Sequence, residues 1–265
     1  MKRPVTKNIR NLVVKVGTSV LTKSGRFDKA MIDKLAAELV PFLRRGAYVS
    51  VVSSGAIGAG MTILRQRKRP RRMQALQAAA AVGQRYLMQC WEQAFSRRGY
   101  STAQVLLTRD DIRQKQRSMN AKHTLKEIQR RGIVPIINEN DTVATEEIRF
   151  SDNDHLSVLI SILLKAKALV ILSNTDGLHA NGHRSGRRIP VVRRIDAAIW
   201  AHVRDRQTDV TRGGMRSKLK AIRQCVSAGI PVFLAHGRAP HVLSRLFAGD
   251  SLGTRFLPSR RRRRV

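Results

Sequence analysis

Short runs rich in Val, Ile and Leu alternate with longer amphipathic segments from the first residues onward. That alternation restricts the chain to folds in which helices cover a largely parallel sheet. Residues 11–16 and 48–53 read as strands, and between them Ile32, Leu35, Ala36, Leu39 and Leu43 share one helical face. Asp28 stands where that helix needs an N-cap, and Gly46 where a left-handed terminating residue is easiest. The spacing next predicts a long or broken helix over 73–95, a strand over 102–107, a helix over 121–131 and a strand over 133–137. A hairpin near 142–150, a helix from about Asp154, a strand over 168–172 and an irregular stretch through Arg188 follow. Helices near 197–206 and 217–228 and a strand at 231–235 complete the pattern. Neither an internal repeat nor a linker rich in Pro, Gly or Ser divides the chain. The expected architecture is one three-layer α/β/α sandwich over 1–258, with a basic, disordered tail at 259–265.

A chain of 265 residues, 42% hydrophobic, supports one large core. Cys90 and Cys225 form no C-x-x-C pair, which argues against a disulfide framework or a cysteine zinc site and fits a reducing cytoplasm. The apolar start is interrupted by Lys15 and Gly17, and the apolar stretch 156–172 by Lys165 and Lys167, so neither reads as a signal peptide or a membrane span. A net charge of +33 invites a nucleic-acid reading, but aromatic content of 5% leaves few rings for base stacking, and no recognition motif is present. The dense runs at 65–72 and 260–264 therefore read as solvated basic surface, with nonspecific nucleic-acid contact as the alternative.

Polar clusters fall just after the strands, where open α/β sheets bind ligands. Lys15 ends the first strand and Gly17 follows, leaving backbone free to approach a phosphate. A lysine at that place also fits an edge strand with a solvated head. Ser53-Ser54-Gly55-Ala56-Ile57-Gly58-Ala59-Gly60 turns from the second strand into a helix, as an anion site or as a tight turn with close helix packing. Asn138-Glu139-Asn140-Asp141 follows an apolar strand, and Ser151-Asp152-Asn153-Asp154 opens a helix, where loop capping is the plainer reading of both. Arg212-Gly213-Gly214-Met215-Arg216-Ser217-Lys218 is a glycine turn leading into a helix, without the P-loop pattern. His179 and His183 have metal-like spacing but no supporting ligands, so no protein-built metal site is expected.

Taken in order, the strand-end lysine and glycine, SSGAIGAG, INEND, SDND and GGM-x-S-K resemble the amino acid kinase family, in particular its branch acting on free glutamate. The resemblance runs from about Leu12 to Phe256 and includes Ala81-Val82-Gly83-Gln84, Leu106-Leu107-Thr108-Arg109 and Asn120-Ala121. It implies ATP-dependent phosphorylation of the glutamate side-chain carboxylate, the first step of proline biosynthesis, with Mg²⁺ accompanying the nucleotide. It also implies that Lys15 and Lys218 neutralise the transferred phosphoryl group, that Asp154 orients both, and that Ser54, Asp141 and Asn153 bind glutamate. Lys15, Ser173, Asn174, Arg212, Gly213, Gly214, Met215, Arg216, Ser217 and Lys218 would face the nucleotide. A homo-oligomer and hand-off of a labile product to glutamyl phosphate reductase follow from the same resemblance. The C-terminal RNA-modification-type (PUA) domain of many members is not expected within this chain.

The chain departs from the family pattern at Asn174 (usually Asp), Arg212 (usually Thr), Arg216 (usually small and polar) and the segment His179-Ala180-Asn181-Gly182. The competing expectations are another carboxylate kinase, acting on acetylglutamate or aspartate, and a weakened relative that binds polyanions.

Overall fold

The computed structural model describes residues 9–143, 153–182, 186–203 and 214–259. The expected hairpin at 142–150, the basic tail at 260–264, and Ser151, Asp152, His183, Arg212 and Gly213 lie wholly or largely outside these residues. The chain opens with β1 (Asn11–Val16), the small ribbon β2 (Thr22–Lys23) and β3 (Arg26–Phe27), α1 (Lys29–Arg44) and β4 (Tyr48–Ser53). It continues through α2 (Ala56–Ile63), α3 (Met73–Ser96), β5 (Thr102–Leu107), α4 (Arg109–Arg113), α5 (Lys115–Arg130), β6 (Val134–Glu139), α6 (Asn153–Leu163) and β7 (Ala168–Ser173). A second ribbon, β8 (Leu178–His179) and β9 (Arg188–Ile189), precedes β10 (Val191–Val192), α7 (Ala197–Ala201), α8 (Met215–Ser227), β11 (Val232–His236), α9 (Val242–Ala248) and β12 (Thr254–Phe256).

Eight strands form the central sheet in the order β10-β12-β11-β7-β1-β4-β6-β5. All neighbours pair in parallel except β11 with β12. Pleating then sorts the side chains. Leu12, Val14 and Val16 of β1 join a core with Leu35 of α1, Leu87 and Trp91 of α3 and Phe247 of α9. Val13 points the other way, into a core with Leu125 of α5, Val158 of α6 and Ile222 of α8. Both faces are covered, giving the expected three layers around a largely parallel sheet.

Local signals account for most element ends. Asp28 caps α1 by accepting from the Met31 amide at 3.3 Å. Thr108 and Asp111 form a reciprocal capping box that starts α4, so helix begins well before residue 121. α3 is unbroken from Met73 to Ser96. β6 runs on through Asn138 and Glu139, so those two residues belong to the strand rather than to a capping loop. α9 and β12 occupy a stretch with no expected element. β12 is only three residues long and gains its place by pairing with β10 and β11, which local pattern does not reveal.

The three glycines of the α2 motif do different work. Gly55 adopts φ 111°, a left-handed conformation costly for other residues. A Cβ on Gly60 would lie 1.8 Å from the Ala79 carbonyl oxygen, and one on Gly83 would lie 1.8 Å from that of Ala56. α2 and α3 therefore touch backbone to backbone. At Gly58 a Cβ would meet only Thr22 Cγ2, at 3.6 Å. Gly60→Ala and Gly83→Ala should each cost about 3 kcal/mol, because helix backbone must move apart. Gly58→Ala should instead add about 0.5–1 kcal/mol, since it relieves a glycine inside a helix. Chemical unfolding of the three variants checks the contrast, and equal effects at all three would contradict the packing assignment.

Candidate active site

The C-terminal ends of β7, β1, β4 and β6 lie side by side, so the polar clusters that follow them converge as expected for an open α/β sheet. Lys15 is on a central strand, not an edge, and is 6% exposed. Strand alternation places it on the same side as Val13, toward α6 and α8. There its Nζ lies 2.6 Å from Oδ1 of Asp154, in the first turn of α6. Lys218, in the first turn of α8, reaches Oδ2 of the same carboxylate at 3.2 Å. Asp154 is 2% and Lys218 8% exposed. Burial by itself would raise the Asp154 carboxyl, but the two ammonium charges and their hydrogen bonds win and hold it below the ordinary carboxylate range. The N-terminal end of α6 favours the same ionised form. Formally the triad carries one net positive charge.

Gly17 follows Lys15 and donates its amide to Leu172 of the neighbouring β7 at 3.1 Å. A Cβ there would lie 3.2 Å from that carbonyl oxygen and 3.4 Å from Lys15 Nζ, so glycine leaves the approach to the ammonium open.

Next to the triad, Asn153 heads a chain of buried amides. Its Nδ2 donates to Ser54 Oγ at 2.8 Å, to Asn138 Oδ1 at 2.9 Å and, at 3.4 Å, to the Ser53 carbonyl. Asn138 in turn donates to Gln84 Oε1 at 2.9 Å and accepts from the Glu139 amide at 2.9 Å. Ser53 is held from α3 as well, by Trp91 Nε1 at 3.0 Å. With its amide nitrogen committed, Asn153 Oδ1 is a buried acceptor without a partner among the described residues, and Asp141 Oδ1 is another. Burial pushes the Asp141 carboxyl up to about 6, against the opposing charge of Arg69. Unpaired buried acceptors are rare in folded proteins and need an explanation. The one on Asn153, beside the Ser54 hydroxyl, suits a ligand that brings its own donors, such as an ammonium group.

On the other side of β1, Ser173 ends β7 and is 4% exposed, whereas Asn174 is exposed. The segment after it is pinned from β12, where Thr254 Oγ1 accepts from the Leu178 amide at 2.8 Å and donates to the Ile189 carbonyl at 2.7 Å. His179 is engaged at both ring nitrogens, with Asp176 Oδ1 at 2.7 Å and the Gly186 carbonyl at 2.8 Å. Gly214 caps α8 and accepts from the Lys218 amide at 3.1 Å. Met215 is packed partly into the core, Ser217 is half-buried and Arg216 is exposed.

Thus Lys15, Asp154 and Lys218 meet directly, and Ser54 and Asn153 meet through a hydrogen bond. Ser173 closes β7, the neighbour of β1, and Gly214 opens α8, the helix that carries Lys218. Sequence reasoning passed over three residues that the fold brings in. Gln84 and Asn138 stood in recognised motifs without an assigned role. Arg69 stood within a basic run read as solvated surface, yet it is half-buried and acts on Asp141.

The profile of the amino acid kinase family matches residues 10–236. A glutamate 5-kinase of Geobacter metallireducens is 40% identical over 264 residues, covering 98% of this chain and 71% of the relative. One from Bordetella parapertussis is 44% identical over 247 residues, covering 92% and 65%. Among solved structures, the carbamate kinase of Giardia lamblia bound to AMP-PNP superposes with a TM-score of 0.67 at 13% identity, covering 94% of this chain and 98% of that one. The UMP kinase of Bacillus anthracis gives 0.64 at 13%, covering 96% and 98%; at such identities the likeness speaks to the fold. With a family match across most of its length and relatives at this identity, the chain belongs to the amino acid kinase family.

Proposed function

We infer that this chain transfers the γ-phosphoryl group of MgATP to the side-chain carboxylate of glutamate, giving glutamyl 5-phosphate and ADP. The observation that carries the reading is the buried Asp154 carboxylate holding two lysine ammonium groups at the strand ends. A carboxylate nucleophile is already ionised at neutral pH, so no base is needed to create it. One carboxylate oxygen forms the new P–O bond, the bond from the γ-phosphorus to the β,γ-bridging oxygen breaks, and ADP leaves with that electron pair. No proton changes hands. The barrier is the approach of two anions, which positioning and positive charge lower. Lys15 and Lys218 supply that charge from two elements, and Asp154 fixes both ammonium groups in advance.

The glutamate amino group would sit against Asp141 Oδ1 and Asn153 Oδ1, with the Ser54 hydroxyl and the turn at Gly55 toward its carboxylates. Ser173, Asn174, Gly214, Met215, Arg216 and Ser217 would line the nucleotide side, together with Arg212 and Gly213. Among the described residues no group of three or more His, Cys, Asp or Glu side chains could hold a metal. Magnesium would arrive with the nucleotide, held by phosphate oxygens and water. The product is a labile mixed anhydride, which supports the expectation of a reductase that consumes it. Among the described residues, no helix is long and apolar enough to cross a membrane.

The central test is hydroxylamine trapping. Glutamate with MgATP should give a hydroxamate well above the control without glutamate, whereas aspartate and acetylglutamate should give little. Well-folded protein that yields no hydroxamate would sink the reading.

Lys15→Ala and Lys218→Ala should each lower kcat by about 10²–10³-fold, the scale of removing one group that stabilises developing charge. Asp154→Asn should lower it similarly and also destabilise the fold, because two buried ammonium groups lose their counter-charge. Steady-state kinetics beside thermal unfolding separates the two effects, and wild-type turnover in any variant removes that residue from the mechanism.

The raised Asp141 carboxyl gives a pH signature with opposite signs for binding and for folding. Its pKa of about 6 lies above the ordinary 3.8, so on acidification through 6 the folded state takes up a proton that the unfolded chain does not. This group's contribution to stability therefore grows as pH falls, while the ionised partner for an ammonium group is lost. Glutamate kcat/KM should fall below pH 6, and Asp141→Asn should remove that limb while weakening glutamate binding throughout. A profile in which the variant keeps the same limb would assign it to another group.

A further inference from the structure

Gln84 lies on α3, across the site from the lysines, and is 9% exposed. Its carbonyl oxygen accepts from Asn138 Nδ2 at 2.9 Å, while its own Nε2 is buried with no partner among the described residues. A buried amide that satisfies another residue and leaves half of itself unpaired does little for stability alone. Its effect lies further along the chain of amides.

Two backbone groups favour one sense of that chain, each at one point, and Gln84 acts on the same sense at Asn138. The Glu139 amide can only donate, so the atom of Asn138 facing it is the oxygen. The Ser53 carbonyl can only accept, so Asn153 must present nitrogen to it. Between these points the NH₂ of Asn138 needs an acceptor, and Gln84 supplies it. Reversal of Asn138 would set its NH₂ against the Glu139 amide and against Asn153 Nδ2, donor facing donor. Asn153 would then be pressed to turn, which replaces the free acceptor of the site with a donor. A donor there repels an ammonium group.

We propose that Gln84 is a positioning residue that, together with the Glu139 amide, holds the direction of the Gln84–Asn138–Asn153 amide chain, and so the preference for a carboxylate substrate bearing an α-ammonium group. The proposal rests on the phosphotransfer reading above for the identity of that substrate. Gly83, next in sequence, locks α3 onto α2 at backbone distance, and Trp91 on the same helix holds Ser53. The glutamine is thus carried on a helix that cannot drift relative to the site.

The test compares glutamate with glutarate, the same five-carbon diacid without the amino group. In Gln84→Met, close in length but without an acceptor, glutamate KM should rise about tenfold, the equivalent of one buried hydrogen bond. KM for glutarate and for MgATP should stay within about twofold, because neither ligand uses the amide acceptor. Gln84→Glu keeps an oxygen toward Asn138 and should restore the glutamate-to-glutarate ratio. Should methionine not be accommodated, Gln84→Ala gives the same readout. An unchanged ratio in the Met or Ala variant, equal losses for both diacids, or no restoration by Glu would overturn the proposal. The same ratio measured as Kd by calorimetry is independent of turnover. Absence of catalysis in the wild type therefore counts against the phosphotransfer reading, whereas an unchanged Kd ratio counts against Gln84.

Discussion

One carboxylate between two ammonium groups, buried where three elements meet, is the constraint on which the rest of this site depends. Lys15 comes from β1, Asp154 from the start of α6 and Lys218 from the start of α8. Bringing three charges out of water is expensive, and a hydrophobic triad of similar volume would serve stability as well or better. The arrangement makes sense as preorganisation: one positive charge remains in excess, held without freedom to reorganise, where negative charge must accumulate during transfer. Central placement of β1 makes this feasible. An edge strand would leave Lys15 solvated, and its ammonium would be screened by water instead of directed at the ligand.

The side of the site opposite the lysines is built from neutral dipoles rather than charges. Helix α3 has no residue in the triad, yet it fixes Ser53 through Trp91 and Asn138 through Gln84. Its own position is set by the glycine contacts with α2, which begins at the Gly55 turn. One rigid pair of helices therefore determines both where the turn lies and how the amides point. A charged residue in place of the amides would bind an ammonium group more strongly but would also compete for Lys15 and Lys218. Asp141 adds a carboxyl on this side, and burial holds it near 6.

The high net charge plays little part in this architecture. Much of it is spread over exposed faces such as α5, where Arg130 and Arg131 pair with Glu127 on the surface, an interaction worth little in water. Within the basic run, Arg69 differs: its half-buried position near Asp141 ties it to the site.

Much of this was legible in the order of residues. The alternation of strand and helix, the Asp28 cap and the polar clusters after β1, β4, β6 and β7 follow from periodicity and local backbone chemistry, which act over a few residues. The family motifs, read in order, singled out Lys15, Asp154 and Lys218. Local pattern could not say that Lys15 is central rather than at an edge, since strand order depends on pairings between distant segments. Nor could it find β12, whose three residues exist as a strand only through β10 and β11, and whose Thr254 holds the loop after β7. The unpaired oxygens of Asn153 and Asp141 and the part played by Gln84 were likewise decided by tertiary structure. A hydrogen bond's direction depends on every group it meets, and here those groups lie 15 and 54 residues apart along the chain.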